Sequence, residues 1–490
     1  MVSGLHPPVP FIHNEFAHLL AGDTFASGRS TNPTHPLYPF FEAIHILHFP
    51  SYASKLPPGV GAFLAIGKVG IGNAIAGIWL ATALAIAAIY WALRGYFREK
   101  WALLGTTLVF LDIGIVHHWS QSFRGATIAV LGGAIAFGAI VRIVGQQRVR
   151  DVILMAVGLG IMANTRPLEG LFFALPLGVV LAVWFFRTAS KKELQHRAIK
   201  VALPMTFALA IVFGSMGVYN QAVTGNPFQF PYSLYEREYA AIPSFLWQQE
   251  RSQPNLTHAH IQGYSDWQVQ RFREIQQQGA IQFIYTRTRE ILQAAMQSWF
   301  GWFLLLVPLT FPFWYRRPWM QLAAVCTVLM LSSHYWVLPV RSDQFAPGTI
   351  AVILLMTAAL EGIAKQRSRL LAGGLTLLLI GYLSFNIATR FANPNPFNGG
   401  VQNSARHSTI AALKNQPGRD LVFVQFSDRM SIHAAWVYNG ANIDASEVIF
   451  ANDMGAEKNQ TLIDYYGDRQ VWLLFVDEAN RLRIDSYPRS

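Results

Sequence analysis

The chain has 490 residues, of which 52% are hydrophobic and only 13% are charged, and its formal net charge is +11. Soluble globular proteins carry about 25% charged residues, so the composition excludes an ordinary soluble enzyme and indicates a protein with several membrane spans. In such a protein the excess of positive charge belongs to loops beside the membrane, and we expect no nucleic-acid partner.

Residues 1–69 form a polar first segment, which contains the helix-like stretch HNEFAHLLAGDTFASG at residues 13–28. Asn14 is predicted to be the N-cap, Glu15 lies in the first turn, and the last glycine of the stretch ends the helix. A first-turn acid often only complements the helix dipole. Asp23 lies about 80° further round the helix, so whether the two carboxylates share a face stays open.

The same segment continues with FEAIHILHFPSYASKLPPG, which places Tyr52 and Lys55 just before Pro57-Pro58. The two prolines predict a helix that starts near the membrane surface. Lys55 would then lie at the interface, where a lysine also serves as a snorkelling anchor. His45 and neighbouring histidines lie upstream in this stretch, so whether the protein binds a divalent metal ion as a cofactor stays open. Surface histidines with ordinary hydrogen bonds are the commoner explanation.

The region 70–387 reads as a transmembrane bundle of about ten spans, most close to the ~20 residues that a spanning helix requires. The apolar runs lie near residues 70–93, 102–118, 126–145, 152–163, 168–186, 201–218, 293–314, 319–339, 346–362 and 369–386.

Basic clusters lie in alternate gaps between these runs, and the positive-inside rule places all of them in the cytoplasm. They are Arg94–Lys100, Arg142–Arg150, Arg187–Lys200, Tyr315–Pro318 and Lys365–Arg369. The first segment, the large loop 219–292 and the tail then face the non-cytoplasmic side. Because no apolar run precedes the first segment, this topology also predicts a first span upstream of Met1.

The tail, residues 388–490, is predicted to be a small external α/β domain. DLVFVQFS and RQVWLLFVD read as short buried strands, and TLIDYYGD reads as the end of a helix. Its charge is close to balanced, as expected of a folded soluble domain.

Three short turns bring further polar side chains to the same membrane face as the first segment. They are HHWSQSFRGA with His118, NTRPLEG with Arg166 and Glu169, and HYWVLPVRSDQFAPG with Arg341. Polar and ionisable groups gathered at one face of a bundle indicate a functional site.

The acidic first loop, the helix in it and the element Tyr-x-x-Lys-x-Pro-Pro at 52–58 resemble the GT-C membrane glycosyltransferases. This superfamily includes protein O-mannosyltransferases and the aminoarabinose transferase that acts on lipid A. The resemblance implies a helical bundle with a catalytic first external loop and an external C-terminal domain.

The family opens its first loop with a pair of carboxylates, one of which acts as general base or helps to bind a metal. Here the pair reads Asn14-Glu15, and asparagine cannot take up a proton. Glu15 is therefore the expected base, with Asp23 as the alternative. The resemblance also implies that Tyr52 and Lys55 contact the donor phosphate, although Leu56 is inserted before the prolines.

We therefore expect an integral protein of the inner or plasma membrane that transfers a sugar from a polyprenyl phosphate to an acceptor hydroxyl with inversion. Lys55 and Arg166 would supply cations to the phosphate. The site would face the non-cytoplasmic side among membrane lipids, and the acceptor, whether glycan, lipid or protein, stays open. Asn14 favours an alternative, a non-catalytic protein that binds a lipid-linked glycan. A transporter is a third interpretation, favoured only by Asp112 within an apolar run.

Overall fold

The computed structural model describes residues 8–10, 12–187, 190–252, 254, 256–392, 401–427, 435–477 and 482–488, with the backbone alone for 401–404. Within these residues the chain forms a polar first segment, a large helical bundle and a small C-terminal sheet. This confirms the predicted fold class of a polytopic α-helical protein with a C-terminal α/β unit.

The first segment contains a helix, a two-stranded antiparallel ribbon and a second helix. These elements are α1 (His13–Ala26), β1 (Ile46–Leu47), β2 (Ala53–Ser54) and α2 (Pro58–Ile71). Gly28 has φ 72°, the left-handed conformation expected just beyond a helix end. The prediction that Pro57-Pro58 starts a helix is also confirmed.

Helices α1 and α2 pack closely because small residues lie between them. A Cβ added to Gly61 would lie 2.6 Å from the Cβ of Ala21, and one added to Gly22 would lie 2.8 Å from the Cβ of Leu64. Such close approach is typical of helix pairs in membrane proteins. The packing fixes α1, which carries the predicted acids, against the bundle.

The bundle follows from α3 onward. Its helices are α3 (Ile75–Leu93), α4 (Glu99–Val109), α5 (Ala126–Gln146), α6 (Val149–Ala163), α7 (Pro167–Phe186), α8 (Lys191–Arg197), α9 (Leu203–Thr224), α10 (Pro231–Tyr239), α11 (Ala259–Gln276), α12 (Ala280–Ser298), α13 (Leu306–Leu309), α14 (Phe311–Trp314), α15 (Pro318–Ser333), α16 (Thr349–Gln366) and α17 (Arg369–Ala392).

Each of the ten predicted runs overlaps a helix. Within the described residues, six helices are long and apolar enough to cross a membrane, and a bent pair makes a seventh. The remaining runs form shorter helices at α4, α6 and α15. The first run starts at Ile75 rather than 70, because Gly72 at φ 74° separates α2 from α3.

Helix α16 lies at the centre of the bundle, and every residue from Thr349 to Ile363 is buried. By contrast, α7 and α9 expose large apolar side chains such as Val179, Phe207 and Val218. Apolar side chains on an outer helix face fit a lipid environment, in which the helix satisfies its own backbone groups.

The bent pair consists of α12 and the turn and short helix that follow it, at Gly301–Leu309, with an angle of 113° between them. Phe300 at the break has φ 53°. Its N–H donates to Asp112 Oδ2 at 3.2 Å. Asp112 therefore satisfies a backbone group that the break exposes.

The C-terminal unit is a four-stranded sheet in the order β4-β3-β5-β6, with β6 antiparallel to β5 and the other neighbours parallel. Its elements are α18 (Val401–Lys414), β3 (Arg419–Phe426), β4 (Val448–Asn452), α19 (Ala456–Tyr465), β5 (Arg469–Val476) and β6 (Leu482–Ser486). Both predicted strands and the predicted helix end are confirmed. Phe423 of β3 packs in one buried cluster with Phe16 and Phe40, so the sheet lies against the first segment.

Candidate active site at one end of the bundle

The short turns between helices meet at one end of the bundle. His118 Nε2 lies 2.9 Å from Ser342 Oγ, which joins the turn after α4 to the turn before α16. Gly59 N–H donates to the carbonyl of Asn164 at 2.8 Å. A Cβ on Gly59 would lie 2.6 Å from that oxygen, so the contact requires glycine. Segments that were predicted to share one membrane face thus contact one another.

Glu15 ties α1 to this end of the bundle. Its Oε1 accepts the N–H of Phe123 at 3.0 Å, and its Oε2 accepts the N–H of Ile12 at 3.2 Å. The side chain is buried. The helix begins at His13 with Ile12 as N-cap, so the prediction of Asn14 as N-cap is wrong. The carboxylate in the third helical position caps the helix instead.

Asn14 bridges the first segment to the turn before α16. In the orientation that satisfies both neighbours, its amide nitrogen donates to His45 Nε2 at 2.8 Å and its oxygen accepts from Arg341 Nη1 at 2.9 Å. His18, one turn along the same face of α1, is buried near Arg341. Burial lowers the pKa of His18 to about 3, so this imidazole is neutral.

Two arginines share one buried carboxylate at the centre of the site. Arg341 Nε donates to Asp343 Oδ1 at 3.1 Å, and Arg166 donates to Asp343 Oδ2. Arg166 also reaches the carbonyl of Arg124 at 3.4 Å. Because two guanidinium groups face one carboxylate, the trio keeps a net positive charge, which suits an anionic ligand.

Lys55 is buried beside this trio, with 8% of its surface exposed. Its Nζ lies 4.1 Å from the ring centroid of Tyr235 and 4.9 Å from that of Tyr232, and among the described residues it forms no ion pair. The pKa of Lys55 is lowered to about 7, mainly by burial; the nearby Glu236 opposes this shift and Arg341 adds to it. This environment differs from that of a snorkelling anchor, whose ammonium reaches water.

A cavity of about 50 Å³ lies next to Lys55, and its volume is sufficient for a small polar group. Residues from the loop 219–292 complete its wall, and sequence reasoning missed them because the loop was predicted only as an outward connection. The polar ones are Tyr232, Tyr235, Glu236, Tyr239, Ser244, Tyr264, Ser265 and Gln268. The acid and aromatic residues of PYSLYERE were the only available signal.

His45 fixes Lys55 through the backbone. The N–H of Lys55 donates to the carbonyl of His45 at 3.1 Å, and the N–H of His45 donates to the hydroxyl of Tyr235 at 3.0 Å. His45 has φ 71°, a strained conformation for a residue with a side chain, and such strain is frequent at functional sites. Burial and the adjacent Lys55 hold the pKa of His45 well below its usual value.

Three predicted residues lie away from the cavity. The hydroxyl of Tyr52 donates to the carbonyl of Asn439 at 3.1 Å, so its side chain faces the C-terminal unit. Asp23 accepts a hydrogen bond from Lys68 at 2.6 Å at the far end of α1. Glu169 lies 3.6 Å from His334, buried in the bundle. No three His, Cys, Asp or Glu side chains within the described ranges could hold a metal ion.

No protein-family model and no curated protein matches the chain, but solved structures do. ArnT from Cupriavidus metallidurans in the apo state superposes with a TM-score of 0.51 and 12% identity, over 97% of this chain and 89% of that one. ArnT bound to undecaprenyl phosphate gives 0.50 and 12%, over 97% and 90%. The Archaeoglobus fulgidus oligosaccharyltransferase gives 0.49 and 12%, over 95% and 65%. The likeness to ArnT shows that this chain has the GT-C fold.

Proposed function

We propose that the protein is a membrane glycosyltransferase that transfers a sugar from a polyprenyl phosphate to an acceptor hydroxyl on the non-cytoplasmic face. The observation that carries the proposal is Lys55, a buried lysine that lies beside a small cavity and a cluster with net positive charge. A bound phosphate would offset the cost of charging this ammonium. ArnT, which shares the fold, has been solved with undecaprenyl phosphate, which supports a donor of this class.

Lys55 and Arg341 are the proposed contacts to the donor phosphate. Lysine supplies a point charge, whereas the planar guanidinium of arginine can hold two oxygens. Arg166 orients Arg341 through their shared partner Asp343. In the reaction the phosphate is the leaving group, so these cations stabilise the charge that grows as the bond between the sugar and the phosphate breaks.

Glu15 is the proposed general base. Glu15 directly follows Asn14, which contacts Arg341, and two backbone N–H groups hold the carboxylate of Glu15 in one orientation. The acceptor oxygen would attack the anomeric carbon as its proton passes to the carboxylate, which inverts the configuration in one displacement. Asp23 has no part in this proposal because its carboxylate pairs with Lys68 at the other end of the helix.

A non-catalytic protein that binds lipid-linked glycans is the second candidate. It is favoured by Asn14, which occupies a position where the family carries an acid and whose hydrogen bonds are made with His45 and Arg341. Such a protein would keep the phosphate contacts without a proton-accepting pair.

Membranes that contain the protein, incubated with a radiolabelled polyprenyl-phosphate sugar, test the proposal. Transfer of label to a second product, lost in Lys55→Ala and kept in Lys68→Ala, is the expected result. Lys68 is a suitable control because it is exposed and already paired. Binding without turnover would favour the second candidate, and accumulation of label inside sealed vesicles would indicate transport.

A further inference from the structure

A second, larger cavity of about 310 Å³ lies between α11 and α12 and is also lined by the segment that follows α15. This volume is at the lower end of the range for small-molecule sites, about 300–1,000 Å³. Trp267 and Gln268 of α11 form one wall, and Gln293 and Gln297 of α12 form part of the other. Gln268 also lines the small cavity beside Lys55, whereas Trp267, Gln293 and Gln297 line the larger cavity and not the small one.

Three amide side chains and one indole line this cavity beside its apolar and charged residues. Gln293 and Gln297 lie one helical turn apart, so their side chains share a face of α12. Both are exposed, and neither side chain hydrogen-bonds to another described residue. Trp267 is 40% exposed. An amide offers donors and an acceptor together, and the indole offers a flat apolar face.

The charged groups that line the cavity already have partners. Glu290 accepts from Arg271 at 2.6 Å and from Arg287 at 2.6 Å, and Arg271 also contacts Glu274, which lies outside the lining, at 3.3 Å. Arg287 is fully buried and also donates to the carbonyl of Val337 at 2.6 Å. A charged ligand would have to compete with these partners, whereas an uncharged polar ligand can use the amides of the cavity.

This cavity adjoins the donor site. Ile242, Gln268 and Leu338 line both cavities. Val340 lines the larger one and directly precedes Arg341, the proposed phosphate contact. A ligand in the larger cavity would therefore lie beside the place where the donor sugar must react.

We infer that this cavity, here named the amide–indole cavity after Trp267, Gln268, Gln293 and Gln297, is an acceptor subsite for an uncharged saccharide. A sugar ring has an apolar face that stacks on an indole and hydroxyl groups that both donate and accept, which matches the two kinds of group present. The inference rests on the proposed transferase function, since it takes the occupant of the cavity to be the acceptor.

Saturation-transfer NMR on the full chain in detergent micelles tests the assignment. The probes are methyl glycosides of glucose, mannose, galactose and N-acetylglucosamine, compared with a Gly-Ser peptide and a lysophospholipid. We expect transfer to at least one glycoside. Trp267→Ala should weaken that binding at least about tenfold, as expected when a central aromatic contact is removed. Gln293→Leu should weaken it too, and Trp267→Phe should restore part of it.

Matched controls lie close by. Gln282 is exposed on the same helix, and its amide donates to Thr286 outside the cavity. Trp247 is exposed and stacks on Phe245. Gln282→Leu and Trp247→Ala should bind the glycoside as the parent does.

Lys55→Ala separates this inference from the proposal on which it rests. It should abolish binding of undecaprenyl phosphate and leave the glycoside signal intact. Undecaprenyl phosphate binding that survives Lys55→Ala would contradict the donor site alone. Intact donor binding with no glycoside signal, with a signal unchanged in Trp267→Ala, or with preference for the peptide or the lipid, would overturn the saccharide subsite alone.

Discussion

The two ends of α1 carry similar residues in different surroundings. At its N-terminus the carboxylate of Glu15 is buried and accepts two backbone N–H groups. At its C-terminus the carboxylate of Asp23 pairs with Lys68, whose side chain is 46% exposed. The sequence offers both acids as candidates, and the packing distinguishes them. Burial and partners, rather than residue type, decide which end of the helix belongs to the proposed site.

The two lysines near the ends of α2 show the same contrast. Lys55, just before the helix, is buried and its pKa is lowered to about 7 by that burial. Lys68, in the last turn, donates to Asp23 at 2.6 Å on the surface. Burial makes the charged form of a lysine unfavourable, and a nearby anion offsets that cost. A salt bridge at the surface, by contrast, contributes little free energy. In each pair the buried residue therefore supplies the test variant, and the residue at the surface supplies its control.

The largest effect is expected for Lys55→Ala. Removal of one preorganised cationic contact to a developing charge lowers turnover by about 10²–10³. Lys55→Arg should recover part of the rate, because the charge is kept but the cavity is small. Turnover per folded molecule, with Lys68→Ala measured in parallel, checks the prediction. Equal losses of turnover in Lys55→Ala and Lys68→Ala would mean that the two lysines do not differ in function.

Glu15→Gln is expected to lower turnover by at least about a hundredfold while donor binding changes little, as loss of a general base requires. The substitution also disturbs the contacts to Ile12 and Phe123, because an amide offers one acceptor oxygen in place of two. Turnover per folded molecule must therefore be measured beside the melting temperature. A lower melting temperature with unchanged turnover would make Glu15 a purely structural residue.

The pH dependence of donor binding should follow Lys55. Its pKa is lowered, so the ammonium is charged below about pH 7 and becomes neutral as the pH rises through that value. A sugar phosphodiester carries a constant charge over this range, so its affinity should be steady below about pH 7 and fall by up to about tenfold per pH unit above the pKa of free Lys55. The fall should end at the pKa of Lys55 in the complex, which is higher because the bound phosphate favours the charged form.

Lys55→Arg provides the control for the pH experiment, because a guanidinium stays charged throughout. Its affinity for the donor should show no fall between pH 6 and pH 9. A parent protein with the same flat profile would mean that Lys55 does not contact the phosphate.

Local patterns were sufficient to predict much of this molecule. A glycine stop at Gly28 indicated the end of α1, two prolines indicated the start of α2, short apolar runs indicated β3 and β5, and long apolar runs indicated the bundle. The resemblance carried by the first segment led to the GT-C fold. These features depend on neighbours in the chain, which is why the sequence reveals them.

Contacts between distant segments could not be predicted in the same way. No local pattern indicates that Asn14 contacts Arg341, or that Tyr235 lies over the ammonium of Lys55. Tyr52 lies within the predicted phosphate element, yet its hydroxyl contacts Asn439. The direction of a side chain depends on tertiary packing, so Tyr52 and Lys55 of one short motif face different parts of the molecule.

The smallest effect is expected for Asp23→Asn, and its size is informative. The pair with Lys68 is partly exposed, and such pairs contribute about 0.2–1 kcal/mol to stability because solvent screens them and both side chains lose freedom. Turnover per folded molecule should stay within about twofold of the parent, a barrier change below about 0.5 kcal/mol, because Asp23 lies at the other end of α1 from the proposed base. Parallel measurement of Glu15→Gln sets the scale. If Asp23→Asn instead lost turnover comparably while folding normally, the two ends of α1 would be functionally alike, and the base would have to be sought at the surface end of the helix.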